Sequence, residues 1–274
     1  MTTAHMKHAP VEVAEGSTHS ADGTRIGFRR LGHGPAVVFV HGSVSTHTDW
    51  MLVARLVADR FTCFVMDRRG RAKSGEGIRP YSIEREYEDI EAVLAVAGPS
   101  AALAAHSYGA ICALGVAMRH PVSRLVLYEP PLPVGGLIAG ENLPPYVAAI
   151  EEDDLDRALD WGLARFPRMP AKAIAALRVS KAWPRLRVLA KSWIRELIEM
   201  DAHSPDVEPY RALACPSLLL AGSLSPEHPM LDAARALAGV LPGVRFEWLP
   251  GQGHGAMRAA PEMVARLIGE FLDG

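Results

Sequence analysis

A serine enclosed by small residues at a predicted strand-to-helix junction is the feature that most constrains the fold of this chain. Ser107 follows a small, apolar strand pattern at residues 101–105 and precedes a helix-like run at residues 110–118. Where a strand turns sharply into a helix, the two backbones approach closely, so the residues two before and two after the serine must be small. Ala105 and Gly109 meet this requirement, with alanine where glycine is usual. The turn therefore presents the Ser107 hydroxyl at a strand end.

Three further motifs, each a short apolar strand followed by a polar or glycine-rich loop, accompany this turn. They are residues 35–40 before His41-Gly42-Ser43, residues 63–66 before Asp67-Arg68-Arg69-Gly70, and residues 244–248 before Gly251-Gln252-Gly253-His254-Gly255. In this order and together with the Ser107 turn, the motifs resemble those of the alpha/beta-hydrolase family, over nearly the whole chain. The resemblance implies an α/β fold with a doubly wound, mostly parallel sheet of eight strands.

The length of 274 residues fits one α/β core with an inserted segment better than two full domains. With 49% hydrophobic residues, the chain can bury a large core. Strand and helix patterns alternate up to residue 130 and resume at residue 213, whereas only helical patterns occur between them. We therefore predict a core of residues 1–130 and 213–274, with a helical cap of residues 131–212 inserted after the sixth strand, as in many members of the family that the chain resembles.

The N-terminal edge of the sheet is expected to differ from the rest. Short strands are predicted at residues 11–13 and 24–30, around the turn Asp22-Gly23. A connection this short cannot cross over the sheet, so these strands should pair antiparallel. The remaining strands alternate with helical patterns and should run parallel.

Composition and charge restrict the partners of the chain. The net charge of −2 argues against nucleic acid, and the basic run Arg68-Arg69-Gly70-Arg71 is short and interrupted. No apolar run reaches the ~18 residues of a membrane span, and residues 1–10 are polar, unlike a signal peptide. We therefore expect a cytoplasmic protein that acts on a small-molecule substrate, without nucleic-acid or membrane partners. The oligomeric state stays open.

The cysteines indicate neither a disulfide framework nor a metal site. Cys63, Cys112 and Cys215 lie in apolar segments without paired spacing, which predicts buried, reduced thiols. No Cys/His cluster has the spacing of metal ligands. We therefore expect no cofactor and no metal.

The resemblance identifies a candidate nucleophile and a candidate base. A serine hydroxyl is a poor nucleophile unless a neighbouring base removes its proton and an acid orients that base. Ser107 takes the first role and His254 the second, since a loop after the last strand can extend over the strand ends toward Ser107. The chain has 11 histidines, so position in the motif selects His254. His41 and His106 are expected to be structural.

The acid departs from the common family pattern. Most relatives carry Gly-x-x-Asp after the seventh strand, where this chain has Gly222-Ser223-Leu224-Ser225. Glu129, at the end of the sixth strand, is the first candidate, because some family members take their acid from that strand end. Glu227, two residues past the usual position, is the alternative. A third possibility is that no carboxylate orients His254.

The resemblance also implies two backbone donors for the negative charge that develops on a carbonyl oxygen during acyl transfer. One is the N–H of Tyr108, the residue after the nucleophile. The other is the N–H of Ser43, the residue after the His-Gly pair. Neither position is proline, which would remove the donor.

These assignments predict a cofactor-independent serine hydrolase that cleaves a carboxylic ester, lactone or thioester of a small apolar molecule through an acyl-serine intermediate. Two other classes stay open, because one fold hosts many chemistries. The first is a non-hydrolytic enzyme of the same fold, such as a lyase, epimerase or perhydrolase. The second is a ligand-binding protein with a vestigial triad.

Overall fold

An eight-stranded sheet lies at the centre of the structure, a computed structural model that describes residues 12–274. The strands are β1 (Val13–His19), β2 (Arg25–Leu31), β3 (Ala36–Val40), β4 (Thr62–Met66), β5 (Ala102–His106), β6 (Leu125–Tyr128), β7 (Ser217–Gly222) and β8 (Arg245–Leu249). Their order in the sheet is β1-β2-β4-β3-β5-β6-β7-β8. β2 pairs antiparallel with β1 and with β4, and all other neighbours pair in parallel. The predicted α/β fold class, with its eight-stranded, mostly parallel sheet, is confirmed.

The first strand differs most from its predicted bounds. The sequence pattern places it at residues 11–13, whereas β1 begins at Val13 and continues to His19; Val11 lies outside the described residues. β1 is an edge strand, and none of its side chains is fully buried. Without a buried face there is no alternation of apolar and polar residues to reveal the strand.

Ten α-helices connect and cover the strands in the described part of the chain. They are α1 (Met51–Val57), α2 (Ile83–Ala97), α3 (Tyr108–Ala117), α4 (Leu143–Glu151), α5 (Leu155–Arg165), α6 (Ala171–Arg178), α7 (Trp183–Ala202), α8 (Asp232–Val240), α9 (Ala256–Ala259) and α10 (Pro261–Asp273). Helices α4–α7 all stand between β6 and β7, where the sequence shows only helical patterns. We refer to these four as the inserted helices.

Alternation along the strands produces a separate apolar core on each face of the sheet. In β3, Val38 and Val40 face the core formed with α2, α3, α8 and the inserted helices, while Val37 and Phe39 face the core formed with α1 and α10. Helix α3 is apolar on all sides and almost wholly buried, as expected for a helix beneath a second layer. Both faces of the central strands are thus covered, which is typical of parallel sheets.

The parallel strands all direct their carboxyl ends to one edge of the sheet. Ligand sites in open α/β sheets lie outside this edge. The loop His41-Gly42-Ser43 follows β3, Ser107 follows β5, Glu129 follows β6, and the loop with His254 follows β8. The topology alone therefore gathers the predicted site residues.

The predicted burial of the three thiols holds fully for two of them. Cys63 and Cys112 are buried and Cys215 is partly buried, and none of the three forms a disulfide. Among residues 12–274, no helix is both long enough and apolar enough to cross a lipid bilayer.

Trp50 provides a test of the core between β3 and α1. Its side chain is fully buried, its ring centroid lies 5.3 Å from that of Phe39, and its Nε1–H donates to the Val40 carbonyl at 3.0 Å. We expect Trp50→Ala to lower the free energy of unfolding by about 3–5 kcal/mol, measured by urea denaturation with circular dichroism. Leu52→Ala, in the first turn of α1 but 49% exposed, should change the free energy of unfolding by no more than about 0.5 kcal/mol. Equal losses would contradict the packing described here.

Candidate active site

Ser107 stands in a strained turn between β5 and α3. Its φ and ψ are 54° and −130°, a conformation that costs free energy for a non-glycine residue. The turn is possible because two glycines allow close approach: a Cβ on Gly109 would lie 2.4 Å from the His41 carbonyl oxygen, and a Cβ on Gly42 would lie 2.8 Å from Ser107 Cβ. The Ser107 N–H donates to the Tyr128 carbonyl at 2.9 Å. The sequence pattern thus corresponds to a real sharp turn, with the β3 loop packed directly against it.

Glu129 and His254 form a short hydrogen bond. His254 Nδ1 lies 2.6 Å from Glu129 Oε2, and the Gly222 N–H donates to Glu129 Oε1, also at 2.6 Å. The Glu129 carboxylate is fully buried. Because a carboxylate accepts hydrogen bonds, the Nδ1 atom carries the proton and Nε2 remains free to act as a base.

The backbone on both sides of His254 is held by neighbouring strand ends. His106 Nε2 lies 2.8 Å from the His254 carbonyl oxygen. The Tyr128 hydroxyl donates to the Gly253 carbonyl and accepts from the Ala256 N–H at 3.1 Å. Sequence reasoning did not identify Tyr128; the available signal was its place directly before Glu129 at the end of β6. His106 is buried and holds the loop, in line with its expected structural role.

The two predicted oxyanion donors are both unused. Tyr108 is the first residue of α3, so its N–H has no acceptor within the helix. Within residues 12–274, neither this N–H nor that of Ser43 donates to another protein group. Two N–H groups without a protein acceptor in the described part of the chain therefore belong to segments next to Ser107, namely the residue after it and the loop packed against it.

A cavity of about 620 Å³ lies between this edge of the sheet and the inserted helices. Ser43, Ser107 and His254 line it on the sheet side. The inserted helices and the loop after α5 line it mainly with apolar side chains, including Leu163, Phe166, Leu186, Trp193, Leu197 and Met200. Ser43, Ser107 and His254 thus border one largely apolar space.

Comparison with known proteins identifies the family. The model of the alpha/beta hydrolase family matches residues 37–267. The chain belongs to this family. An alpha/beta hydrolase from Sphaerobacter thermophilus has 30% sequence identity and a TM-score of 0.84, covering 94% of this chain and 100% of that one. An enol-lactonase from Burkholderia xenovorans, at 19% identity and a TM-score of 0.77 over 94% of this chain and 100% of that one, shares the fold. N-formylmaleamate deformylase from Pseudomonas putida is 35% identical over 143 residues, 50% of this chain and 53% of its own length.

In this alpha/beta hydrolase, the structure separates the two candidate acids. Glu227 is exposed and pairs with Arg235, whereas Glu129 contacts His254. Ser225, which occupies the place of the usual acid, is buried and lines the cavity. The carboxylate that lies beside His254 therefore comes from the end of β6.

Ser107 and His254 line the same cavity without a hydrogen bond between the Ser107 hydroxyl and the His254 ring. Catalytic hydrogen bonds are often long in enzymes without substrate and shorten when substrate binds.

Among residues 12–274, no group of three or more His, Cys, Asp or Glu side chains is arranged to hold a metal ion.

Burial keeps two histidines near the site neutral. Desolvation lowers the pKa of His41 well below its usual value, and the charge of Arg68 lowers it further. Desolvation likewise lowers the pKa of His106, with a smaller contribution from His254. His41 Nε2 accepts from the Arg68 backbone N–H at 3.1 Å, which requires the ring to be uncharged.

The lowered pKa of His106 predicts how stability depends on pH. Because the unfolded chain binds this proton near pH 6.5 and the folded chain does not, the contribution to stability is full above that pH and is lost as the pH falls. We expect the wild type to lose about 1.4 kcal/mol from this residue between pH 7.5 and 5.5. Urea denaturation at the two pH values should show that His106→Gln removes this part of the pH dependence. Replacing exposed His33 with Gln should leave it unchanged, and a similar effect of both variants would disprove the assignment.

Proposed function

We propose that this alpha/beta hydrolase is a cofactor-independent serine hydrolase that cleaves a carboxylic ester, lactone or thioester through an acyl-serine intermediate. One observation carries the proposal. A histidine that is hydrogen-bonded at Nδ1 to a buried glutamate shares a cavity with a serine held in a strained strand-to-helix turn. Ser107, His254 and Glu129 are the proposed nucleophile, base and acid.

The proposed reaction has two halves. Ser107 Oγ attacks the substrate carbonyl carbon while its proton passes to His254 Nε2, and collapse of the tetrahedral adduct gives that proton to the departing oxygen or sulfur. Water then attacks the acyl-serine, loses a proton to His254, and releases the acid as the proton returns to Ser107 Oγ. Glu129 stays ionised and stabilises the imidazolium in both halves, because its second oxygen is already held by the Gly222 N–H.

The N–H groups of Ser43 and Tyr108 are the proposed donors to the negative charge on the carbonyl oxygen. Ser43 belongs to the loop that packs against Ser107, Tyr108 follows Ser107 directly, and neither N–H donates to another protein group among residues 12–274. The N-terminal end of α3 adds the favourable potential of the helix dipole. Donors fixed before the reaction stabilise developing charge without reorganisation.

The cavity indicates the kind of substrate. Its wall is mostly aliphatic and aromatic, and its volume of about 620 Å³ suits a small organic molecule. We therefore propose a small, mainly apolar acyl compound, with its carbonyl placed at Ser107.

Reaction with a fluorophosphonate probe tests whether Ser107 is activated. We expect the wild type to be labelled once and Ser107→Ala not to be labelled, because an ordinary serine hydroxyl does not react at neutral pH. Intact mass spectrometry and a peptide map would locate the label. An unlabelled wild type, or labelling that survives in Ser107→Ala, would refute the proposal.

Exchange of the two candidate acids tests the role of Glu129. In Glu129→Gln, an amide can still accept from the Gly222 N–H, but its NH2 group would face His254 Nδ1 and favour the wrong tautomer. We expect kcat for nitrophenyl esters to fall by about 10³- to 10⁴-fold. Glu227→Gln, which removes only an exposed ion pair with Arg235, should stay within about twofold of wild type. Loss of activity in the Glu227 variant alone would show that the acid is misassigned.

A further inference from the structure

Arg68 lies buried beneath the loop that carries one of the proposed oxyanion donors. Its Nη1–H donates to the Gly42 carbonyl at 3.1 Å, and its guanidinium lies over the Tyr108 ring, 4.6 Å from the centroid. The side chain is fully buried. Arg68 therefore touches both segments that supply the free N–H groups, those of Ser43 and Tyr108.

The contact with Gly42 has a direct geometric consequence for Ser43. The Gly42 carbonyl and the Ser43 N–H belong to one peptide unit, and that unit is planar with the two groups pointing in opposite directions. The carbonyl oxygen also lies 2.9 Å from His41 Nδ1, so Arg68 and His41 together hold it. Fixing this oxygen fixes the Ser43 N–H in the opposite direction, and Ser43 is one of the residues that line the cavity. A small rotation of this peptide would turn the donor away from the substrate oxygen.

Arg68 is in turn held from two directions by carboxylates. Glu86 of α2 accepts from Nε at 3.0 Å and from Nη2 at 2.6 Å. Glu196 of α7 accepts from Nη2 at 2.9 Å and also from Arg71 Nη2 at 2.5 Å. All four side chains are buried, so two positive and two negative charges compensate one another away from water.

Glu196 is ionised in this cluster. Burial by itself would raise its pKa, but the charges of Arg68 and Arg71 outweigh burial and hold the pKa below its usual value. The Ser43 hydroxyl also lowers the pKa of this carboxylate, although neither Ser43 Oγ nor Glu196 Oε2 has a hydrogen-bond partner in the described part of the chain. The geometric link between Glu196 and the Ser43 segment therefore runs through Arg68.

We propose that Glu196 is a positioning residue, which holds Arg68 against the Gly42 carbonyl and so fixes the Ser43 N–H toward the substrate oxygen. The inference rests on the proposed serine-hydrolase function. It assigns part of the stabilisation of the tetrahedral adduct to a residue of the inserted helices that does not touch the substrate. Helix α7 lines the cavity with Trp193 and Leu197 while its Glu196 reaches the buried arginines.

Glu196→Gln tests the proposal with little change in volume. It weakens the hold on Arg68, so we expect kcat for a nitrophenyl ester to fall about tenfold, part of the loss known for complete removal of an oxyanion donor, with KM within about twofold. The second measurement is the affinity for a trifluoromethyl ketone inhibitor. Ser107 attacks the carbonyl of this ketone, and the carbonyl oxygen becomes an oxyanion. The affinity for the ketone should fall by the same factor as kcat, whereas the affinity for the matching alcohol, which Ser107 cannot attack, should not change.

Asp89→Asn is the matched control, because Asp89 forms a second buried ion pair with the neighbouring Arg69. That pair is bidentate, at 2.8 and 2.7 Å, but Arg69 touches neither Gly42 nor the Tyr108 ring. We expect Asp89→Asn to lower Tm but to leave kcat and the affinity for the ketone within about twofold of the wild-type values. Arg68→Lys is a second test should Glu196→Gln fold poorly. It keeps the positive charge, but an ammonium group cannot reproduce the planar fork that joins Glu86, Glu196 and the Gly42 carbonyl. It should therefore show the same loss of kcat and of ketone affinity.

Each outcome decides the inference. It is overturned if Glu196→Gln keeps full kcat, or if the affinities of Glu196→Gln for the ketone and the alcohol fall equally. It is also overturned if Asp89→Asn loses as much kcat and ketone affinity as Glu196→Gln. In all of these cases the wild type still reacts with a fluorophosphonate at Ser107, so the proposed function survives. A wild type that neither reacts nor hydrolyses esters overturns both.

Discussion

The hydrogen bond between Glu129 and His254 is the contact on which the arrangement of the site depends. It joins the end of β6 to the loop after β8, and the Gly222 N–H at the end of β7 holds the other carboxylate oxygen. Three strand ends are thus connected through one buried side chain. Because the carboxylate already has an N–H partner, its burial does not depend on a charged histidine. Because this carboxylate stands at the end of β6 and not in the loop after β7, Ser225 in that loop is free to form part of the cavity wall.

The buried arginines below the site are better explained by geometry than by stability. Removing paired charges from water costs about as much free energy as their attraction returns, so a buried ion pair is weak evidence of net stabilisation. What such a cluster does provide is a defined position, because an arginine fork allows few arrangements of its partners. The ion pair between Arg69 and Asp89 fixes the loop after β4 to α2. Arg68, in the same loop, contacts the Gly42 carbonyl and Glu196 instead.

The sequence predicted those features that are local or repeat along the chain. The Ser107 turn could be recognised because five consecutive residues determine it. The alternation of strands and helices could be recognised because periodic burial produces a periodic pattern of apolar residues. Glu129 could be named because its strand end shares an edge with His254. The contact between Arg68 and Glu196 joins residues that are 128 positions apart, and no local pattern marks either residue as a partner of the other. The predicted bounds of β1 were wrong for a local reason: this strand has no buried face, so its sequence shows no alternating pattern.

Helix α7 contributes both to the cavity wall and to the buried charged cluster. Its apolar side chains form part of the cavity wall, and Glu196 enters the charged cluster beneath Ser43. Trp193, Glu196 and Leu197 lie within two turns of this one helix, so a displacement of its apolar side chains also displaces the carboxylate. Under the proposed function, the size of the acyl pocket and the direction of the Ser43 N–H are therefore linked. A substrate large enough to displace α7 would also move Glu196 away from Arg68, so the proposed positioning role implies that oversized substrates disturb the Ser43 donor.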